Sequence, residues 1–243
     1  VILGDLVMPF RQDSTVLKRD FDTFAPATFT AGEVLPPVSS VAYRFFKRSV
    51  DIAIAAGLLV ALSPFMLPVV GLIRVGGARP LFSHSRIGKH GRTFQCYKFR
   101  TMVMDADRVL NAHLANNLEA REEWSRDHKL RNDPRVTALG RFLRRTSLDE
   151  LPQLINVLKG DMALVGPRPV VHEELEKYGD ALRDYLSVRP GVTGLWQVSG
   201  RNDTGYAQRV ALDAWYVRNR SVLLDMRILV RTLAVPFGGR GAY

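Results

Sequence analysis

The sequence predicts an α+β, mostly helical chain: a re-entrant membrane helix-break-helix hairpin joined to a compact domain that carries a short β-hairpin and interfacial amphipathic helices. Three observations predict it. Ile52 to Ile73 holds no charged residue and is interrupted near its middle by Ser63-Pro64. Two short extended pieces, around Leu81–Gly88 and over Thr93–Phe99, flank the turn Gly88-Lys89-His90-Gly91. Beyond residue 105, apolar residues return at helical spacing in several separate segments.

Composition bounds the rest. A chain of 243 residues with 47% hydrophobic content buries one sizeable core. Its formal charge of +10 points to an anionic partner: nucleic acid, a membrane surface or a phosphorylated substrate. The single cysteine, Cys96, excludes an intrachain disulfide, and the five histidines show no zinc spacing. The sequence starts at Val1 rather than Met, which leaves an upstream segment open.

Residues 1–40 mix Pro, Ser, Thr and Asp without a sustained period and read as a mobile tail ending at Pro36-Pro37-Val38-Ser39-Ser40. Residues 41–75 form the membrane segment. Each apolar half is ~12 residues, or ~18 Å of helix, against a hydrocarbon core of ~30 Å. Half-length helices meeting at Ser63-Pro64 suit a hairpin that returns to the side it entered. The basic residues Arg44, Lys47, Arg48, Arg74 and Arg79 keep both ends cytoplasmic. A straight or kinked spanning helix is the alternative that the same residues allow, with a buried soluble helix third.

Downstream, a charged helical stretch runs from Asp105 to Lys129, Asn132-Asp133-Pro134-Arg135 makes a turn, and Val136–Arg145 forms a short helix. Gly160 is expected in the left-handed position that ends the next helix. Residues 171–187 read as an amphipathic helix. Ser221–Leu233, with Arg220, Arg227 and Arg231 among apolar residues, suits a helix at a membrane surface or packed on the domain.

Chemistry is expected at Ser147-Leu148-Asp149-Glu150-Leu151-Pro152-Gln153. An amphipathic helix is expected to begin near Ser147, capped by Thr146 or Ser147 with an acidic residue three positions after each. The dipole of that first turn would keep Asp149 ionised. Taken alone, the acidic pair is ordinary capping chemistry. Its company is not: Arg144-Arg145, Gly166-Pro167-Arg168-Pro169 and Arg189-Pro190-Gly191 surround it in sequence with groups that hold phosphate.

The ordered motifs carry a resemblance. They are Lys47-Arg48 with Asp51 before the Ser63-Pro64 break, Arg86-Ile87-Gly88, Tyr97-Lys98-Phe99-Arg100-Thr101-Met102, Asp133-Pro134-Arg135, the acidic heptapeptide, Asn156 to Met162, Val165 to Pro169, Arg189 to Gly194 and Gly200-Arg201-Asn202. Over roughly residues 44–235 the chain resembles the bacterial sugar transferases, monotopic phosphoglycosyl transferases, and most of all their exopolysaccharide-initiating branch. The resemblance implies that residues 76–243 are a cytoplasmic catalytic domain on the bacterial inner membrane. It implies transfer of galactose 1-phosphate or glucose 1-phosphate from a UDP-hexose to undecaprenyl phosphate, with release of UMP through a covalent phospho-sugar enzyme. Asp149 would be the nucleophile, Glu150 the Mg²⁺ ligand, and Arg144 and Arg168 the phosphate holders. Lys98, Arg100, Arg189 and Arg201 are further candidates for the nucleotide, the lipid phosphate or the fold.

Residue by residue, blander readings compete. Asp51 is read as positioning the membrane helix, Trp196 and Trp215 as core or interface anchors, and Lys98 as a solvent-facing strand residue. A non-catalytic, membrane-anchored basic binding protein is the rival function, supported by charge alone. No nucleic-acid module is present, so nucleic acid is not an expected partner. An aspartyl-phosphate phosphatase would need an Asp-x-Asp pattern that Asp149 lacks. A homodimer is left open.

Overall fold

The computed structural model describes residues 41–127, 130–199 and 205–234. The chain divides into two units between Leu35 and Pro36, and the described residues all belong to the second. The expected tail therefore lies outside the described residues, as does Arg201.

Helix α1 runs from Val41 to Val75 without interruption, with Pro64 and Pro68 inside it. The expected break thus does not end the helix, and the reason is local. Pro64 has no N–H to give the Val60 carbonyl, but Ser63 Oγ donates to that same oxygen at 2.8 Å. The middle of α1 is largely bare: Val60, Phe65 and Leu67 are 75%, 71% and 68% exposed. Both ends pack on the rest of the unit. Near the start, Lys47 Nζ donates to Asp225 at 2.7 Å, Arg48 donates to Val157 O at 2.6 Å, and Asp51 accepts from Leu164 N–H at 3.3 Å. Asp51 thereby takes the structural role expected of it. Near the end, Ile73 joins Phe99 and Leu143 in a buried cluster.

Strands β1 (Leu81–Ile87) and β2 (Thr93–Phe99) form the expected antiparallel hairpin, with Leu81 opposite Phe99 and Ile87 opposite Thr93. Helices α2 (Ala106–Asn116) and α3 (Leu118–Asp127) replace the single stretch expected there, because Asn117 Oδ1 accepts the Ala120 N–H and starts a new helix. After α4 (Ala138–Thr146), a 3₁₀ turn (Leu148–Glu150) leads into α5 (Gln153–Lys159), which ends at Gly160 with φ 91°, as expected.

Strand β3 (Ala163–Val165) lies parallel to β4 (Gly191–Thr193), a pair too short to show any period in the sequence. The amphipathic helix expected over 171–187 is a 3₁₀ segment (His172–Ala181) followed by α6 (Leu182–Ser187). Gly179, at φ 47° and ψ −127°, breaks it. Helices α7 (Leu195–Val198), α8 (Tyr206–Asn219) and α9 (Val222–Ala234) complete the domain. Asp225, on α9, accepts from Tyr216 of α8 at 2.6 Å as well as from Lys47, and so ties α1 to α8 and α9. α9 is only half packed: Leu223, Val230 and Leu233 are exposed while Leu224 and Ile228 are buried.

Candidate active site

The site is built on a short backbone zipper. Val103 N–H donates to Arg135 O and Thr137 N–H donates to Thr101 O, each at 3.0 Å. Thr137 then caps α4, its Oγ1 accepting from Gly140 N–H at 2.9 Å. Gly140 packs so closely that a methyl group added there would stand 2.1 Å from Thr101 O. One turn on, Arg144 Nε donates to Thr101 Oγ1 at 3.0 Å. Thus α4 is clamped at both ends to the segment that follows β2.

The acidic pair does not cap a helix. Thr146 spends its hydroxyl on Phe142 O and Leu143 O. Ser147 sits at φ 58°, ends α4, and leads only into a 3₁₀ turn, with no side-chain capping bond to it. Asp149 and Glu150 then occupy the 3₁₀ turn, and α5 begins only at Gln153. Pro152 explains the delay: it has no N–H for Leu148 O, and that carbonyl instead accepts from Leu151 N–H at 3.2 Å.

This placement changes the electrostatics. Asp149 is buried, only 9% exposed. Burial pushes its carboxyl up to about 6, with Lys98 opposing the shift, Glu150 adding to it, and Arg144 opposing it. At neutral pH the carboxylate is still mainly ionised, as expected, but a desolvated pocket sets its titration rather than a helix dipole. Lys98 Nζ donates to Glu150 Oε1 at 2.6 Å. Burial alone would lower the Lys98 ammonium, but Glu150 and Asp149 together hold it above its ordinary value. Lys98 is therefore paired with the acidic site, half-buried there, and does not merely face solvent. Burial lowers the Arg144 guanidinium, opposed by the charges of Asp149 and Asp133.

Two positions that the sequence reading names only within motifs, without a role, complete the arrangement. Asn156 is fully buried. Its Oδ1 accepts Tyr97 N–H at 3.0 Å, and its Nδ2 donates to Gln95 O at 2.7 Å. An amide side chain thus completes the outer edge of β2 as a strand would, and fixes Lys98 beside Glu150. The visible signal was an Asn in the apolar run Leu154-Ile155-Asn156-Val157-Leu158. Asn156→Ala leaves that N–H and C=O unpaired, and the denaturation midpoint should reflect a loss of about 2–4 kcal/mol. A loss below about 0.5 kcal/mol would mean that β2 does not depend on it. The second position is Asp133, whose carboxylate is gripped by Arg135 at 2.8 and 2.7 Å. Although burial works the other way, Arg135 keeps that carboxyl below its ordinary range.

The remaining expected cations lie elsewhere. Arg168 is set over the Trp196 ring, 5.7 Å from its centroid, with Arg209 over the same ring at 4.8 Å. Arg168 shares the electrostatic environment of buried Cys96 with Lys98, Glu150 and Arg86, but no bond joins it to either acidic residue among the described residues. Trp196 is buried, as the anchor reading expects. Arg100 donates to Arg79 O at 3.0 Å and covers Phe82, so it braces the base of the hairpin. Arg189 donates to Gly160 O at 2.7 Å.

The donor set bears on the expected metal. Among the described residues no three His, Cys, Asp or Glu side chains gather into a metal cage. A magnesium ion that takes most of its oxygens from a diphosphate and water needs only one or two protein carboxylates. The half-buried Glu150 carboxylate beside Asp149 suits that role.

The family model described as bacterial sugar transferase matches residues 42–239. The undecaprenyl-phosphate galactose phosphotransferase of Salmonella typhimurium is 53% identical over 200 residues, 82% of this chain and 42% of that protein. The exopolysaccharide production protein ExoY of Sinorhizobium fredii is 52% identical over 81% of this chain and 88% of its own length. The UDP-glucose:undecaprenyl-phosphate glucose-1-phosphate transferase of Escherichia coli is 37% identical over 85% of this chain and 43% of that protein. The chain thus spans less than half of the Salmonella and Escherichia relatives and most of ExoY.

Proposed function

The chain belongs to the bacterial sugar transferase family, and on that premise we propose that it transfers galactose 1-phosphate or glucose 1-phosphate from a UDP-hexose to undecaprenyl phosphate. The observation that carries this reading is the buried Asp149 carboxyl beside Glu150, Lys98 and Arg144. Such a group is ionised at neutral pH yet poorly hydrated, which suits a nucleophile. An Asp149 oxygen attacks the phosphorus that bears the sugar, its new P–O bond replacing the bond to UMP. An oxygen of the lipid phosphate then attacks the same phosphorus and frees the aspartate.

The other side chains manage charge. Arg144 and Lys98 offset the anionic phosphates, because phosphoryl transfer depends mainly on positioning and charge stabilisation. Glu150 would hold Mg²⁺, which when bound supplies charge neutralisation at the diphosphate. Arg168 reaches the donor only if the substrate extends from Asp149 toward Trp196. Purified full chain with UDP-galactose or UDP-glucose, Mg²⁺ and undecaprenyl phosphate should release UMP. No release with any UDP-hexose would overturn the reading.

The acceptor's head stays at the bilayer interface, so the site must sit there too. We place α1 in the inner membrane as a re-entrant element, because both of its ends pack on one domain while its middle is bare. The bare apolar residues of α9 suit the same interface. Single cysteines at Ala42 and Ser83, both exposed, should react with an impermeant thiol reagent from the same side of sealed vesicles. Reaction from opposite sides would make α1 a spanning helix.

A further inference from the structure

Five cations converge where α1 begins. Arg44 and Arg48 lie one turn apart on α1, Lys89 in the hairpin tip, Arg189 ahead of β4, and Arg220 between α8 and α9. Arg48 donates to Val157 O and Leu158 O at 2.6 and 3.0 Å. Arg189 donates to Gly160 O, and a methyl at Gly160 would stand 3.4 Å from Arg48 Nη2, so both guanidiniums share the C-terminal end of α5. Arg220 donates to Val217 O. Lys89 completes the ring: burial lowers its ammonium, and so do the charges of Arg189, Arg44 and Arg220.

The partners of these groups are neutral carbonyls. Among the described residues none of the five forms an ion pair with a carboxylate. Asp51 is the carboxylate whose charge reaches Arg48, without bonding to it, so an excess of like charge remains, and such an excess draws an anion. Its surroundings say which anion. Val41, Phe45 and Phe46, on the same turns of α1, are 72%, 75% and 51% exposed. Exposed aromatic residues and arginines at the mouth of an apolar helix match a lipid headgroup zone, whereas a soluble phosphate has no use for the apolar rim. The ring is not the acidic site: β2 alone separates Lys89 from Lys98 by about 17 Å at its usual rise per residue.

We propose that Arg44, Arg48, Lys89, Arg189 and Arg220 bind the phosphate headgroup of an anionic glycerophospholipid that is not the substrate. The inference rests on the reading of α1 as membrane-embedded, and it does not depend on the transferase reading. Bound there, the lipid would hold the start of α1, the hairpin tip and the end of α5 in register at the interface.

The test titrates short-chain phosphatidylglycerol into the detergent-solubilised full chain at low salt and follows tryptophan fluorescence. Parallel arms use short-chain phosphatidylcholine and inorganic phosphate. Phosphatidylglycerol alone should saturate. At about fivefold per cation, Arg44→Gln with Lys89→Gln should weaken it on the order of 20- to 30-fold. Arg108→Gln with Arg131→Gln, the same charge change elsewhere, should leave it unchanged. Equal binding of phosphatidylcholine, or equal weakening by the control pair, would overturn the site. Equal binding of inorganic phosphate would overturn the lipid. UMP release is measured on the same variants. A matching rise in KM for undecaprenyl phosphate would make this the acceptor site and overturn the assignment to a second lipid. Absence of UMP release from the wild type would fall on the transferase reading alone, because the binding arms are read without turnover.

Discussion

Asp149→Asn should lower UMP release by about a thousandfold or more and make the fold more stable at the same time. The two effects share one cause. Burial raises the Asp149 carboxyl to about 6, so the folded chain prefers its neutral form, and an ionised Asp149 is a strain on the fold at neutral pH. The sign follows from linkage. Below the ordinary carboxyl value both folded and unfolded chains hold the proton, and there is no penalty. As pH rises to about 6 the unfolded chain ionises more readily, and stability is lost over that window and stays lost above it. Asparagine escapes the penalty, so the variant should gain up to about 3 kcal/mol at pH 7 and nothing near pH 3. Wild-type activity should fall about tenfold per unit below pH 6 as the nucleophile takes up its proton. Thermal melts of both proteins across pH, beside the UMP assay, check all of this. An inactive variant of unchanged stability at pH 7 would mean that Asp149 is not desolvated. A more stable variant that keeps its activity would remove it from the chemistry.

The same residue shows what the sequence could and could not disclose. Asp149 and Glu150 stood out by their company, and the hairpin and the left-handed Gly160 were legible from turn chemistry and alternation. What misled was spacing. Thr146 and Ser147 precede acidic residues by three positions, which mimics a capping box, yet Pro152 withholds the N–H that an α-helix through that stretch requires. Local rules see the motif; the missing donor decides the fold. Asn156 was hidden for another reason, since its role depends on an edge of β2 that lies some sixty residues away in sequence. Arg168 and Arg100 were grouped with the site by their motif positions in the resemblance. Their actual partners, Trp196 and the base of the hairpin, arise from tertiary packing that no local spacing records.

Gly140→Ala should be severely damaging, although residue 140 bears no functional group. An added methyl would stand 2.1 Å from Thr101 O, 2.8 Å from Thr101 C and 2.9 Å from Thr101 Cα. All three are backbone atoms, so no side chain can swing aside, and α4 must move as a body. That movement strains the Thr137 to Thr101 bond and the Arg144 to Thr101 bond together, at a cost of about 3 kcal/mol or more. It also shifts Arg144 and the turn bearing Asp149. A displacement near 1 Å in a phosphoryl-transfer site is worth about a hundredfold in rate. Gly71→Ala is the control: its methyl meets nothing within 4 Å, and in mid-helix it should hold or slightly raise stability. Activity is to be compared at a temperature where both variants remain folded, with the melt recorded alongside. If Gly140→Ala melts early yet turns over normally when folded, the clamp on Thr101 serves the fold and not the site. A rate loss that persists well below the melt assigns to this glycine the placement of Arg144 and Asp149.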